Sequence, residues 1–346
     1  MTIDLRSDTL SKPTAAMRQA MATADVGDDD RDGDPTTRAL ESRIAQLLGT
    51  ERAMFFPSGV MANQAAVLLQ GRPGTEMLID ADAHIIHWEA AGAAGLAGVQ
   101  ARGVTGSANG VMRAGDLRRT ARPVSKYSPQ ASLVCVENTH NSAGGRVTPL
   151  QELRAIGDVA REMGLPIHLD GARLWNASAA TGTSLSDFAS CVDTVMVSLS
   201  KGIGAPIGAA LAYAARHHDE LWIIRKRLGG SLRQSGILAA AALHGLEVQL
   251  PKLGEDHDKA RAFAQALAGA PGLSVTPPET NIVMLDLPTA GDAPALVARA
   301  AAEGVRLTVW NPVRVRATFY LDVSLEEARQ AGAIVSGLLE KGVAGR

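Results

Sequence analysis

Short β-rich runs alternate with helix-length segments through most of the chain, and this alternation constrains the fold more than any single motif. The runs lie at 53–56, 76–79, 133–136, 166–169 and 194–198, with helical stretches such as 36–48, 59–69 and 149–163 between them. Continuous apolar strands separated by helices imply a parallel sheet covered on both faces, an α/β architecture. In such a sheet, ligands gather beyond the carboxyl ends of the strands. A long Ala/Leu-rich helical stretch at about 233–249 is followed by a second helical stretch after Pro251. The pattern then changes to LSVTP, NIVMLDL, a helix near 293–302, VRLTVW, VRATFYLDV and a last helix at 325–341. These segments predict a division into a large domain, 1–245, which includes an N-terminal arm, and a smaller α+β domain, 246–346. A length of 346 residues agrees with two units at about 150 residues per domain.

Composition removes several function classes. Lys plus Arg (34) against Asp plus Glu (36) gives a net charge of −2, so no basic excess argues for nucleic acid or an anionic membrane. Apolar residues at 46% and charged residues at 20% are globular values, and with aromatics at only 3% the core must be filled by Ala, Val and Leu. Cys135 and Cys191 are too few for a disulfide framework, which fits a reducing cytoplasm. The N-terminus carries acids at positions 4 and 8 and lacks an apolar leader, and nowhere do 18 apolar residues run together. The expected partner is a small molecule.

Three places carry the chemistry. In VMVSLSKGIGAPIG, Lys201 stands where a strand ends and glycines begin. A lysine there faces the ligand crevice, and partial desolvation equips it to form an imine with a carbonyl; the plain alternative is a solvated turn lysine. In PIHLDGARLWNA an apolar strand ends at Asp170, a costly place for a carboxylate unless a cation faces it, such as a protonated pyridine nitrogen; otherwise it is an ordinary Asp-Gly turn. In AMFFPSGVMANQAAVLLQ a strand runs through Ser58 and Gly59 into a helix whose free N–H groups suit a phosphate, or which Ser58 simply caps. An anion site, an Asp after a strand and a Lys after a later strand, in that order, suggest pyridoxal 5'-phosphate.

Nine segments in order then resemble the low-specificity L-threonine aldolases, pyridoxal-phosphate enzymes of the aspartate-aminotransferase fold (fold type I) within the β-eliminating lyase group. They are LRSDT at 5–9, VGDD with the following DPT, PSGVMANQ at 57–64, AHIIHWEAAGAA at 83–94, ENTHN at 137–141, HLDGARLWNA at 168–177, SLSKGIGAPIG at 198–208, RQSGILAAA at 233–241 and VRATFYLDVS at 315–324. The resemblance implies Lys201 as the lysine that carries the cofactor, Asp170 as the partner of its ring nitrogen and His84 as the imidazole stacked on its ring. It implies Ser58, Gly59 and Val60 as the phosphate turn, with Ser200 nearby and Arg233 as an added cation. Ser7, Arg173 and Arg316 match positions that hold the substrate carboxylate; without the family, Arg316 would be a strand arginine paired to Asp322 or another acid. The implied reaction is reversible cleavage of threonine, allo-threonine or another β-hydroxy-α-amino acid to glycine and an aldehyde. His84 is the first choice of base, with Tyr127 or His87 as contributors, and the assembly is a homotetramer built from dimers, with sites at an interface that Arg31 or Arg233 reaches across. A β-eliminating lyase on the same scaffold is the nearest rival. A nicotinamide oxidoreductase is further off, since Gly202, Gly204 and Gly208 do not form GxGxxG.

The chain also departs from the family. Where VGDDVYGEDPT is usual it reads VGDDDRDGDPT, so Arg31 and Asp32 replace a tyrosine-glycine pair. Arg31 in the pocket would favour a polar or anionic β-substituent; a solvated surface arginine is the alternative. Asp28, Asp30, Asp32 and Gly33 imitate the opening of a calcium loop, but its twelfth position is Ala39 rather than Glu. His84, His87 and Glu89 lack a further ligand cluster, His217 and His218 read as exposed helix residues, and no metal is expected.

Overall fold

A computed structural model describes residues 2–106 and 111–342; residue 1 and residues 343–346, the ends of the two expected domains, lie outside the described residues. Seven strands form the central sheet, in the spatial order Arg52–Phe56, Ala209–Tyr213, Thr194–Ser198, Ile167–Gly171, Ala131–Glu137, Glu76–Asp80, Gln100–Val104. The last five of these pair in parallel, whereas Ala209–Tyr213 is antiparallel to both of its neighbours. The apolar runs at 53–56, 76–79, 133–136, 166–169 and 194–198 all fall in this sheet. Two strands had no such signal: Gln100–Val104 is an edge strand with a mostly polar surface, and Ala209–Tyr213 (AALAY) is rich in alanine, a weak strand former.

The helices begin where their caps place them. Asp34 accepts the Thr37 N–H, Pro35 occupies the first turn, and the Pro35–Leu48 helix stops at Gly49 in the left-handed region. Ser58 caps Gly59–Gln70 by accepting from Met61 N–H. Leu150–Glu162 buries Leu153, Ile156, Val159 and Ala160 at helical spacing against the sheet. Trp175 is fully enclosed there, and its indole N–H donates to the Ser198 carbonyl at 2.8 Å, so the largest core side chain leaves no polar atom unsatisfied.

The boundary between the domains differs from the expected one at both ends. Leu246 and Leu253 still belong to the large core, and the second core begins at Ala260 in the Leu253–Ala266 helix. The N-terminal arm, expected with the large domain, packs into the small one. Ile3 and Leu5 sit in the second core, the Ile3–Asp4 strand pairs in parallel with Val305–Arg306, and the Thr318 N–H donates to the Leu5 carbonyl at 2.8 Å. Burial of Leu5 alone is worth about 2 kcal/mol, enough to keep the arm seated. The small domain is otherwise a four-stranded antiparallel sheet, Thr308–Asn311, Arg314–Thr318, Ile282–Asp286, Ser274–Val275, covered by the Leu253–Ala266, Asp292–Ala302 and Leu325–Glu340 helices. Among the described residues no helix is long and apolar enough to cross a membrane.

Candidate active site

Parallel strands pointing the same way deliver their following loops to one edge of the sheet. Ser58 follows Arg52–Phe56, His84 follows Glu76–Asp80, Glu137 ends Ala131–Glu137, Asp170 lies near the end of Ile167–Gly171, and Lys201 follows Thr194–Ser198. Glu137 and Asp170 are register partners on adjacent strands. Gly171 is required by the close approach of the next strand, because a Cβ there would stand 2.5 Å from the Met196 carbonyl oxygen. The Asp-Gly pair is therefore part of the sheet and not a solvent turn.

Between this edge and the small domain lies a cavity of roughly 230 Å³. Its walls include Ser7 from the arm, His84, Glu137, Arg173 and Lys201 from the large domain, and Arg316 from the small one. Trp88 and Trp310 face each other across its mouth with ring centroids 5.5 Å apart. The Arg316 guanidinium lies 4.9 Å from the centroid of the Trp310 ring.

The two arginines are not equivalent. Arg173 donates to both oxygens of Asp8, Nε to Oδ2 at 2.7 Å and Nη2 to Oδ1 at 2.8 Å, in a pair wholly out of water. Burial pushes Asp8 up, but Arg173 outweighs it and holds the carboxyl down at about 2. Arg173, expected to hold substrate, already holds an acid of its own chain. Arg316 has no carboxylate partner among the described residues. Its Nη1 donates to Asn141 Oδ1 at 2.9 Å, which also accepts Arg173 Nη1 at 3.2 Å, its Nη2 donates to the Arg6 carbonyl, and its Nε has no partner. Burial, with the like charge of Arg173, lowers Arg316 to about 10. The alternative partner weighed for it, Asp322, instead accepts the Lys12 N–H. A buried cation with spare donors is a receptor for an incoming anion.

Lys201 is half-buried, and no hydrogen bond holds its amine among the described residues. Burial first, and then the nearby Arg173, lowers its pKa, so the neutral, nucleophilic form is easier to reach. His84 Nδ1 donates to the Glu89 Oε1 carboxylate oxygen at 3.0 Å, and its backbone N–H donates to Glu137 Oε2. Burial opposes protonation of His84, but the bond to Glu89 and the charges of Asp170 and Glu137 outweigh it and raise its pKa. Asp170 accepts from Ala172 N–H at 3.0 Å and from Asn63 Nδ2 at 2.9 Å.

Asn63 and Asp8 carry no role in the sequence, and Glu89 figures there only as a discarded metal ligand. His84, Glu89 and Asp170 place ligand atoms within 4.8 Å of one another. Yet the Asn63 amide directs a donor at each carboxylate, where a metal ion would need bare oxygens.

Other expected residues lie elsewhere. Tyr127 is 86% exposed and lines no part of this chain's cavity, and its ring lies against Lys126. His87 Nε2 is taken up by the Ala81 carbonyl at 2.8 Å. The Arg31 side chain is 79% exposed, approaches Asp28 at 3.7 Å and borders a different cavity, near Glu41 and Arg225. Arg233 pairs with Asp30 at 2.8 Å and not with the Ser58 turn. Asp28 and Asp30, which imitate a calcium loop, are engaged by Arg233 and Lys226. His218 is half-buried and not exposed, bonded to Tyr213 Oη at 2.8 Å. Ser58 and Val60 are exposed at the helix start, and Ser200 is half-buried beside Lys201.

A family model of beta-eliminating lyases matches residues 4–290. The chain belongs to the beta-eliminating lyase family. Within it, a probable low-specificity L-threonine aldolase 2 of Arabidopsis thaliana is 41% identical over 292 residues, covering 83% of this chain and 82% of that protein. The low specificity L-threonine aldolase of Escherichia coli strain K12 is 37% identical over 331 residues, 96% of this chain and 97% of that one. The solved threonine aldolase of Leishmania major superposes with a TM-score of 0.83 over 97% of this chain and 99% of that one, at 19% identity, which bears on the fold alone. The fold is type I of the pyridoxal-phosphate enzymes, as the sheet order and the site edge anticipate. Like other beta-eliminating lyases, the chain is an enzyme of the lyase class.

Proposed function

We propose that this chain is a pyridoxal-phosphate-dependent aldolase that splits L-threonine, L-allo-threonine and related β-hydroxy-α-amino acids reversibly into glycine and an aldehyde. The observation that carries the reading is that, among the described residues, a Lys201 amine with no hydrogen bond and an Arg316 guanidinium with no carboxylate partner and a free Nε line one cavity. One suits an aldehyde, the other a carboxylate.

The residues present fit the cofactor. Asp170 is a buried carboxylate at the sheet edge, as a protonated pyridine nitrogen needs. Among the described residues nothing crowds a Cβ at position 59, which would meet Met196 at an ordinary 3.5 Å; the Gly59 and Val60 N–H groups at the helix start would hold the cofactor's phosphate, and close approach of that group would account for the glycine. When bound, pyridoxal phosphate supplies an aldehyde for amines and a ring that accepts the electrons of a breaking bond.

The chain does the rest. Lys201 presents its amine at the strand end. Arg316 fixes the substrate carboxylate through its free donors and so sets which bond at Cα stands perpendicular to the ring, an orientation effect. Asp8 neutralises Arg173, leaving one uncompensated guanidinium and hence one preferred carboxylate position. His84, its Nδ1 held by Glu89, turns Nε2 to the β-hydroxyl and takes its proton, and Glu89 stabilises the imidazolium that results.

A product assay tests the reading. The purified chain with cofactor and threonine is expected to yield glycine and acetaldehyde; 2-oxobutanoate and ammonia in their place would assign it to β-elimination. We further infer a homotetramer. Support comes from a shallow apolar depression bordered by Met21, Val26, Pro206 and Ile237, two of them large exposed hydrophobics. A monomeric sedimentation profile of active protein would contradict this. Two buried free thiols suit the reducing cytoplasm.

A further inference from the structure

Behind His84 a chain of polar side chains runs through the core with every proton placed by its neighbour. Thr194 Oγ1 lies 2.8 Å from His168 Nδ1, and His168 Nε2 lies 3.1 Å from Asn63 Oδ1. Asn63 Nδ2 reaches Asp170 Oδ2 at 2.9 Å and Glu89 Oε1 at 2.8 Å, and that same Glu89 oxygen meets His84 Nδ1. Thr194, His168, Asn63, Asp170 and Glu89 are all buried, at most 3% exposed.

The directions follow from valence. Asn63 can satisfy two carboxylates only with its NH2 group, since a flipped amide would aim its oxygen at both. Its Oδ1 must then accept, which requires a proton on His168 Nε2. Burial pushes His168 down to about 4, so the ring is neutral and its Nδ1 is bare, ready to accept the Thr194 hydroxyl. None of Asn63, His168 and Thr194 lines the cavity.

We propose that Asn63 is a positioning residue: a single amide, locked by His168, that splits its two N–H groups between Asp170 and Glu89 and so ties the acid facing the cofactor nitrogen to the acid behind His84. This rests on the pyridoxal-phosphate reading above. Without the amide, Asp170 keeps, among the described residues, only the Ala172 N–H, and two buried carboxylates lose the donor between them. Glu89 keeps Gln64 Nε2 at 2.6 Å and His84. The charges facing His84 are Glu89 from its own turn, Asp170 and Glu137 from the two strands beneath, and Lys201, Arg173 and Arg316 across the cavity. Removing the Asn63 donor concentrates the charge of Glu89 on His84 and raises the pH at which His84 gains its proton.

The test compares Asn63→Ala and the nearly isosteric Thr194→Val, which removes only the hydroxyl bonded to His168 Nδ1 and so loosens the ring that holds the amide, with the parent. Folding is checked by thermal melting. In Asn63→Ala the affinity of the apo chain for pyridoxal phosphate is expected to fall about tenfold, the scale of one hydrogen bond to a charged group. The acid limb of kcat/KM against pH is expected to move up by about half a unit. Thr194→Val shifts both the same way by less, and decides the matter if Asn63→Ala does not fold. In the cofactor-free parent, 15N NMR is expected to show His168 neutral with its proton on Nε2 from pH 5 upward. A folded Asn63→Ala chain with parental cofactor affinity or a parental acid limb overturns the proposal, as does a His168 proton on Nδ1. A parent that binds no pyridoxal phosphate overturns the functional reading instead, while the His168 measurement still decides the lock.

Discussion

Asp8 and Arg173 close a two-pronged ion pair between the N-terminal arm and the large domain, with bonds of 2.7 and 2.8 Å and both side chains buried. Removing the acid leaves a buried guanidinium unpaired. Asp8→Ala is expected to cost about 3–5 kcal/mol in urea unfolding. The pair also sets an acid limit. A carboxyl held at about 2 in the folded chain, against 3.8 unfolded, contributes stability in full above pH 4 and loses it as pH falls toward 2. The parent should therefore lose about 2 kcal/mol over that interval from this group, a loss absent in Asp8→Ala.

Arg316 is the free carboxylate receptor. Arg316→Ala is expected to lower kcat/KM for threonine by about 10- to 100-fold, the worth of one charge-assisted contact. Arg316→Lys should recover little, because an ammonium cannot span two carboxylate oxygens in one plane. Parental kinetics in either variant would move the receptor elsewhere.

Lys201 makes no hydrogen bond that the fold needs, so Lys201→Ala should melt near the parental temperature. It is expected to show no imine absorption after saturation with pyridoxal phosphate and no turnover. A visible band that borohydride bleaches in this variant would assign the carbonyl-binding amine to another residue.

His84 is raised above its ordinary 6.5 by the Glu89 bond and the neighbouring acids, so kcat/KM should fall on the acid side with a midpoint above 6.5. Glu89→Gln removes that bond's charge and should move the midpoint down. A midpoint unmoved by Glu89→Gln would show that the limb belongs to another group.

Arg31 lies outside the cavity that holds Lys201. Arg31→Ala is therefore expected to leave the ratio of threonine to 3-hydroxyaspartate turnover unchanged, and Tyr127→Phe to leave kcat unchanged. A ratio that drops for the acidic substrate would put Arg31 back at a β-substituent.

What could be read from the chain follows its local patterns. Lys201 and Asp170 stand out because a charged residue ends an apolar run, and Ser58 because a cap precedes a helix. The sheet was legible wherever large apolar residues run together, and illegible at Ala209–Tyr213, where alanines carry a central strand. Arg316 had meaning only through family resemblance, since its chemistry depends on lacking a partner. Asp8 and Asn63 gave no signal because their partners lie 165 and 107 residues away, and no local spacing records such a pairing. One clue was present for Asn63. It and Gln64 are polar residues inside the otherwise apolar stretch GVMANQAAVLL, and both are buried.

The seating of the arm against the far end of the chain bears on how the protein is made. Ile3–Asp4 are made long before their strand partner Val305–Arg306, and Arg316 binds the Arg6 carbonyl 310 positions away. A growing chain thus carries the Ile3–Asp4 segment unpaired until the Val305–Arg306 strand has been made, and the carboxylate receptor is assembled only after that. Catalytic competence should arrive late and all at once, so a truncated or stalled product would hold a formed large sheet with no working enzyme.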